Sequence, residues 1–253
     1  MIALTRPVPS SITSCELTHV LRVPIDVAHA RMQHADYERV LATAGCDVRQ
    51  LPAADDLADS VFVEDTAVVL DEIAIVTRPG AESRRAETAA VIAALAPYRQ
   101  LRSLAAPATL DGGDVLRLGR TLYVGVGSRT NGAGVSQLAD IVKPHGYAVR
   151  PVNVGQCLHL RSAVTQASPD LIVINPQWLD AGIFEGYRAI DVDPAEPAAA
   201  NVLMIGDRVL CAARYERTNE RLQSAGLDLL MVDVSELAKA EGGVTCCSVI
   251  FNR

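Results

Sequence analysis

No stretch of this 253-residue chain approaches the ~20 uncharged apolar residues that would span a bilayer, and its first residues lack a basic segment followed by an apolar core. A membrane-spanning or secreted reading therefore finds no support. Positive charge is also in short supply, since 23 Lys and Arg against 30 Asp and Glu leave a net charge of −7. Nucleic acid is a poor partner for such a chain, because phosphate binding draws on clustered basic side chains. A cationic small molecule suits it better. There is no Cys-x-x-Cys among the six cysteines and no i, i+4 pair among the five histidines, so a structural zinc site or a zinc-protease helix is not expected. Nucleotide-binding loops are missing too: Gly125 and Gly127 are followed by Thr130 where a third small residue belongs, and no Gly-x-x-x-x-Gly-Lys-Ser/Thr occurs.

What is present is a globular composition, 49% apolar and 21% charged. A chain of this size can build a core without disulfides, so Cys15, Cys46, Cys157, Cys211, Cys246 and Cys247 read as free thiols in a reducing compartment, and a cytoplasmic location is expected. Paired apolar runs around short polar turns recur: Thr66–Leu70 with Ile73–Thr77, Val115–Leu118 with Thr121–Val126, Leu158–Thr165 with Leu171–Asn175, and Val202–Ile205 with Val209–Ala212. Dipeptides such as Gly119-Arg120 and Gly206-Asp207 between β-branched runs are hairpin signals. The turns fall roughly 40–50 residues apart, the spacing of propeller blades. Helical stretches follow at Ser83–Leu95, Ala133–Val142 and Tyr215–Ala225, with a further one at Val27–Ala44, and the region Gln177–Ala189 is irregular. Short strands come next, at Val48–Leu51, Leu101–Leu104, Ala148–Val152 and Leu227–Val232; Val244–Phe251 with Ile2–Arg6 is expected to complete the first unit. Tight hairpins make antiparallel pairs, which counts against a doubly wound parallel sheet. The pattern predicts one α/β domain over residues 1–253, a closed ring of about five ββαβ-type repeats around a central channel with functional groups at one end.

Several segments could carry chemistry, and each has an ordinary structural reading as well. Cys246 and Cys247 are adjacent on a run that reads as extended, which would send their thiols to opposite faces; a free cysteine is more often a small buried hydrophobe than a nucleophile. In Leu158-His159-Leu160-Arg161, alternation puts His159 and Arg161 opposite two leucines, although a hydrogen-bonded histidine is as ordinary there. Asp111-Gly112-Gly113-Asp114 precedes a hairpin, and its glycines permit close approach of another group. Asp59–Asp65 sets acidic residues beside an apolar strand, and Ser83-Arg84-Arg85 and Ser128-Arg129-Thr130-Asn131 offer guanidinium forks suited to a carboxylate.

Taken in order, Asp59-Ser60-Val61-Phe62-Val63-Glu64-Asp65, Thr77-Arg78-Pro79-Gly80-Ala81, Ser83-Arg84-Arg85, Asp111-Gly112-Gly113-Asp114-Val115, Ser128-Arg129-Thr130-Asn131, Leu158-His159-Leu160 and Gly242-Gly243-Val244-Thr245-Cys246-Cys247-Ser248 resemble the dimethylarginine dimethylaminohydrolase family. That family belongs to the guanidine-modifying, five-bladed propeller (pentein) superfamily, which includes arginine deiminase. The resemblance implies Cys246 as nucleophile, His159 as acid/base and Asp111 as the residue that orients it. It implies Asp65, assisted by Glu64, on the guanidinium, and Arg84 and Arg129 on the α-carboxylate. Asp59 would serve the α-amino group with the backbone carbonyls of Leu17 and Ala240. No metal or organic cofactor is implied.

The chemistry so implied is hydrolysis of a methylated arginine to citrulline and a methylamine through a covalent thiouronium on cysteine. Acidic side chains would localise the spread charge of the guanidinium and make its carbon a better electrophile, while a cationic neighbour favours the attacking thiolate. An arginine-deiminase-like hydrolase of free arginine is the nearest alternative. A non-catalytic binder of arginine derivatives is the alternative of another class. Whether the chain pairs as a homodimer is left open by the sequence.

Overall fold

The computed structural model describes residues 1–253. From the N-terminus come β1 (Ile2–Thr5), α1 (Val27–Thr43) and β2 (Asp47–Gln50), then β3 (Ala67–Val69), β4 (Ile73–Val76), α2 (Thr88–Leu95) and β5 (Gln100–Ser103). Next are β6 (Val115–Leu118), β7 (Thr121–Val126), α3 (Gly132–Val142) and β8 (Ala148–Asn153), followed by the one-turn helix α4 (Leu160–Ala163), β9 (Val164–Ser168), β10 (Leu171–Ile174) and β11 (Arg188–Asp191). The chain ends with β12 (Leu203–Ile205), β13 (Arg208–Ala212), α5 (Glu216–Ser224), β14 (Asp228–Val232), the short α6 (Ser235–Ala238) and β15 (Val249–Phe251).

These strands form five three-stranded sheets, β15-β1-β2, β3-β4-β5, β6-β7-β8, β9-β10-β11 and β12-β13-β14. In each sheet the middle strand pairs antiparallel on one side and parallel on the other. The tight turns behave as their sequences require: Gly119 and Gly206 open the turns between β6 and β7 and between β12 and β13 with φ of +61° and +64°, a conformation that a Cβ disfavours. The parallel partner follows a crossover, helical in four units. In the fourth, the irregular region carries only a short 3-10 turn at Ala181–Ile183.

The middle strands explain why the units close into a ring. Side chains alternate across a strand, and in each case both faces are buried in different cores. Ile73 and Ile75 of β4 join a core shared with β6, β7 and α3, whereas Ala74 joins one shared with β1 and β15. Leu122 and Val124 of β7 face the first of these cores, and Tyr123 faces a third, shared with β9 and β10. Val173 of β10 packs with Val209 and Cys211 of β13, and Leu210 of β13 packs with Ala3 of β1 and with Tyr37 and Leu41 of α1. Five apolar clusters thus sit between successive units, and the continuous runs Ile-Ala-Ile-Val and Leu-Ile-Val-Ile are strands buried on both faces. The architecture is the five-repeat α/β propeller that the spacing predicted. The first strands β3, β6, β9, β12 and β15 line a central channel of about 310 Å³, which Arg117 of β6 and Met204 of β12 border. No helix is long and apolar enough to cross a membrane.

Three local expectations are corrected. Residues 244–247 form a turn and only Val249–Phe251 is strand, so Cys246 and Cys247 are not on an extended run. Likewise the strand expected over Leu158–Thr165 begins at Val164; His159 instead has extended backbone at the start of α4. Val61–Val63 enters a 3-10 turn, Val63–Thr66, rather than a strand. In all three places apolar residues are buried by loops packed on the propeller's end, which mimics the hydrophobic signature of a strand.

Candidate active site

The acidic, histidine and cysteine segments all stand immediately before a first strand. Glu64 and Asp65 precede β3, Asp111 to Asp114 precede β6, His159 precedes β9, and Thr245 and Cys246 precede β15. The ring therefore gathers them at one end. Each is held by backbone or buried polar partners. Asp65 accepts the Gly113 N–H on Oδ1 (3.0 Å) and Arg84 Nη1 on Oδ2 (2.5 Å). Asp111 accepts the Gly80 N–H on Oδ1 (2.8 Å), while its Oδ2 lies 3.1 Å from His159 Nε2. Asp114, behind them, accepts the Leu160 N–H and the Thr130 hydroxyl. Gly113 is needed here, because a Cβ would lie 2.8 Å from both His159 Nδ1 and Asp65 Oδ1.

The electrostatics follow from this packing. Burial alone would lower the His159 pKa, but the Asp65 carboxylate, the Asp111 hydrogen bond and the Asp114 charge outweigh it and raise it to about 10. The imidazole is thus cationic at neutral pH. Burial pushes the Asp65 carboxyl up, yet His159 and Arg84 hold it below the usual carboxylate range. The Cys246 thiol is pushed up to about 12, first by burial and then by the Glu64 and Asp65 charges. Asp65 is the group common to both, since its Oδ1 lies 3.8 Å from His159 Nδ1. The ligand atoms of Asp65, Asp111 and His159 lie within 4.8 Å of one another. A protonated imidazole cannot ligate a cation, so this trio is better suited to moving a proton than to holding a metal.

Asp59, Asp65, Arg84, Arg129, Ala240 and Cys246 line one narrow cavity of about 20 Å³ together with Glu16, Phe62, Leu158, Glu241 and Gly242. Asp111 and His159 stand directly behind Asp65. Leu17 is not part of the lining, but its neighbours are engaged there: the Glu16 N–H donates to Asp59 Oδ2 (3.1 Å), and Arg129 Nη2 donates to the Thr18 hydroxyl (3.3 Å). Two arginines expected to act alike differ in the structure. Arg129 makes only long contacts, to the Thr18 hydroxyl and, at 4.0 Å, to Asp111 Oδ2, whereas Arg84 is spent on Asp65, on both oxygens of Glu87 and on the carbonyls of Asp59 and Phe62. At most one Arg84 N–H, on Nη1, remains for a ligand. Glu64 also stands apart, facing the central channel with one carboxylate oxygen on Arg161 and the other on the Thr245 hydroxyl (2.8 Å). Sequence reasoning missed Glu16, Glu87, Asn201 and Thr245. Only Arg161, one of a polar pair with His159, had shown a signal.

The arrangement is built for a flat cation set between a carboxylate and a thiol, with an acid at hand. The profile of the arginine deiminase family matches residues 54–199, more than half of the chain. The N(G),N(G)-dimethylarginine dimethylaminohydrolase of Streptomyces coelicolor is 45% identical over 236 residues, covering 92% of this chain and 90% of that protein. The chain belongs to the dimethylarginine dimethylaminohydrolase family. Among solved structures, a cysteine-to-serine variant of the Pseudomonas aeruginosa dimethylarginine dimethylaminohydrolase, complexed with citrulline, superimposes with a TM-score of 0.94 at 32% identity and covers 98% of both chains. A histidine-to-glycine variant of dimethylarginine dimethylaminohydrolase bearing an S-methyl-L-thiocitrulline adduct gives 0.93 at 31% identity, again over 98% of both chains. Members of the dimethylarginine dimethylaminohydrolase family are C–N hydrolases of guanidino groups, and this chain is one of them.

Proposed function

We propose that residues 1–253 act as one catalytic unit in the cytoplasm, hydrolysing N(G),N(G)-dimethyl-L-arginine and its monomethyl counterpart to L-citrulline and the methylamine, with Cys246 as nucleophile and His159 as acid/base. The observation that carries this reading is the convergence of Cys246, Asp65, Asp59 and Arg129 on one cavity, with a cationic His159 hydrogen-bonded to Asp111 behind it. Asp65 pairs with the substrate guanidinium, and Glu64 adds negative charge from the channel side. Arg129, with the remaining N–H of Arg84, takes the α-carboxylate. Asp59 and the carbonyls of Leu17 and Ala240 take the α-amino group. The cavity is too small for an arginine derivative as it stands, so the site opens to admit one; Glu16 and Thr18, hydrogen-bonded to Asp59, Glu241 and Arg129, border it.

The resting site holds a neutral thiol beside two carboxylates. A bound guanidinium cancels that negative field, so the thiol gives its proton to solvent and the thiolate forms when substrate arrives rather than before. The thiolate then attacks the guanidinium carbon. His159 donates its proton to the methylated nitrogen, the C–N bond breaks with its electron pair going to the amine, and a thiouronium remains on Cys246. Neutral His159 next takes a proton from water as the oxygen bonds to the same carbon. Collapse of that adduct breaks the C–S bond, the hydroxyl proton passing to the departing sulfur, so that citrulline leaves and the neutral thiol stands beside the imidazolium again. Incubation with asymmetric dimethylarginine, followed by detection of citrulline and dimethylamine, tests this; absence of the amine refutes it. Because the matching profile is that of arginine deiminase, free arginine is the second substrate to assay. Ammonia in place of dimethylamine as the efficient product would favour that reading.

A further inference from the structure

Four of the five first strands are preceded by groups used in the reaction, and the remaining one, β12, is preceded by Asn201. This side chain is buried, and both of its N–H groups and its oxygen are engaged within the site. Its Oδ1 accepts the Thr245 N–H (3.1 Å), and its Nδ2 donates to the Thr245 hydroxyl (2.9 Å) and to the Arg161 carbonyl (3.0 Å). One end of this bridge lies next to Cys246 and the other two residues beyond His159. The connection closes on itself: Thr245 donates to one oxygen of Glu64, Arg161 pairs with the other, and the Glu64 N–H donates to the Cys246 carbonyl (3.1 Å). The turn is pressed onto the amide, since a Cβ on Gly243 would lie 2.3 Å from Asn201 Oδ1.

We infer that Asn201 is a positioning residue that sets the distance between the nucleophile and the acid/base by bridging their two segments. A planar carboxamide supplies one acceptor and two donors at a single point, and no apolar or purely acidic side chain of that size does. Asn201 does not line the substrate cavity, so it acts on alignment and not on binding. The inference rests on the roles proposed above for Cys246 and His159.

The test compares Asn201→Ala and the isosteric Asn201→Asp with wild type in kcat, KM and the rates of Cys246 alkylation by neutral iodoacetamide and by cationic 2-chloroacetamidine. The amidine reports alignment of the thiol with the cation site, whereas iodoacetamide reports only an accessible thiol. The expected result is a kcat lower by about tenfold to a hundredfold, the cost of a displacement near 1 Å, with KM changed by less than about twofold. The amidine rate falls about tenfold relative to the iodoacetamide rate. An unchanged ratio together with an unchanged kcat overturns the inference, as does a rise in KM alone. If the alanine variant does not fold, the aspartate variant carries the same comparison. If wild type releases no dimethylamine, the functional reading fails while the alkylation ratio still decides the role of Asn201.

Discussion

The resting state of the thiol offers the sharpest test of the electrostatics. Cys246 is pushed up to about 12 by burial and by the Glu64 and Asp65 carboxylates. An ordinary thiol near 8.5 is about one-tenth thiolate at pH 7.5. At about 12 the fraction is on the order of 3 in 100,000, so alkylation by iodoacetamide is expected to run roughly 3,000-fold slower than for free cysteine. Replacing Asp65 with Asn removes one of the two charges that repel the thiolate. By the usual size of such effects this lowers the pKa by about 1–3 units and speeds alkylation by roughly tenfold to a thousandfold. The assay follows incorporation at residue 246 by mass spectrometry from pH 6 to 10.5 in both proteins. A wild-type inflection at or below 8.5, or slower labelling of Asp65→Asn, would refute the reasoning.

Other perturbations separate roles that look alike. Arg84→Ala leaves the buried Asp65 and Glu87 carboxylates without their partner and is expected to cost about 3–5 kcal/mol of stability, read by thermal or denaturant unfolding. Arg129→Ala is expected to raise KM with a smaller loss of unfolding stability than Arg84→Ala, because its guanidinium makes one long bond to Thr18 and lies 4.0 Å from the Asp111 carboxylate where Arg84 makes close pairs; an unchanged KM refutes its role in holding substrate. Asp111→Asn removes the charge beside His159 Nε2 and is expected to lower kcat by about 10²–10⁴-fold. In the same variant the alkaline limb of kcat moves to lower pH, because an imidazole that normally keeps its proton up to about 10 then loses it earlier. Cys247→Ser is expected to retain turnover, since that thiol is buried in the apolar core beneath the turn.

The repeat was readable because hairpins and helix ends carry local chemistry. Gly119-Arg120 and Gly206-Asp207 mark their turns, and α1 and α3 are capped by Asp26 and Asn131, whose side chains accept the His29 and Gly134 N–H groups. Residues 158–165 and 244–251 misled for the opposite reason. Their apolar character comes from burial by distant loops, and local periodicity cannot tell that from strand pairing. The catalytic candidates became visible through the family resemblance of several ordered segments, not through any one spacing. Arg84 shows the limit of such transfer: its acidic partner Asp65 lies 19 positions away and absorbs the fork that was expected to face a ligand. Asn201 stayed hidden because both of its contacts are at least 40 residues distant, beyond any local pattern.

One seam in the ring has a consequence for heating. Blade β15-β1-β2 is the only one stitched from both ends of the chain, with Ile2, Ala3 and Leu4 facing Phe251, Ile250 and Val249. Every other blade is a continuous stretch of polypeptide, so this three-rung clasp is where the circle comes undone most readily. The thiol sits three residues from the clasp. Warming should therefore extinguish catalysis at temperatures where the single tryptophan, Trp178 beside the fourth blade, still reports an intact neighbourhood.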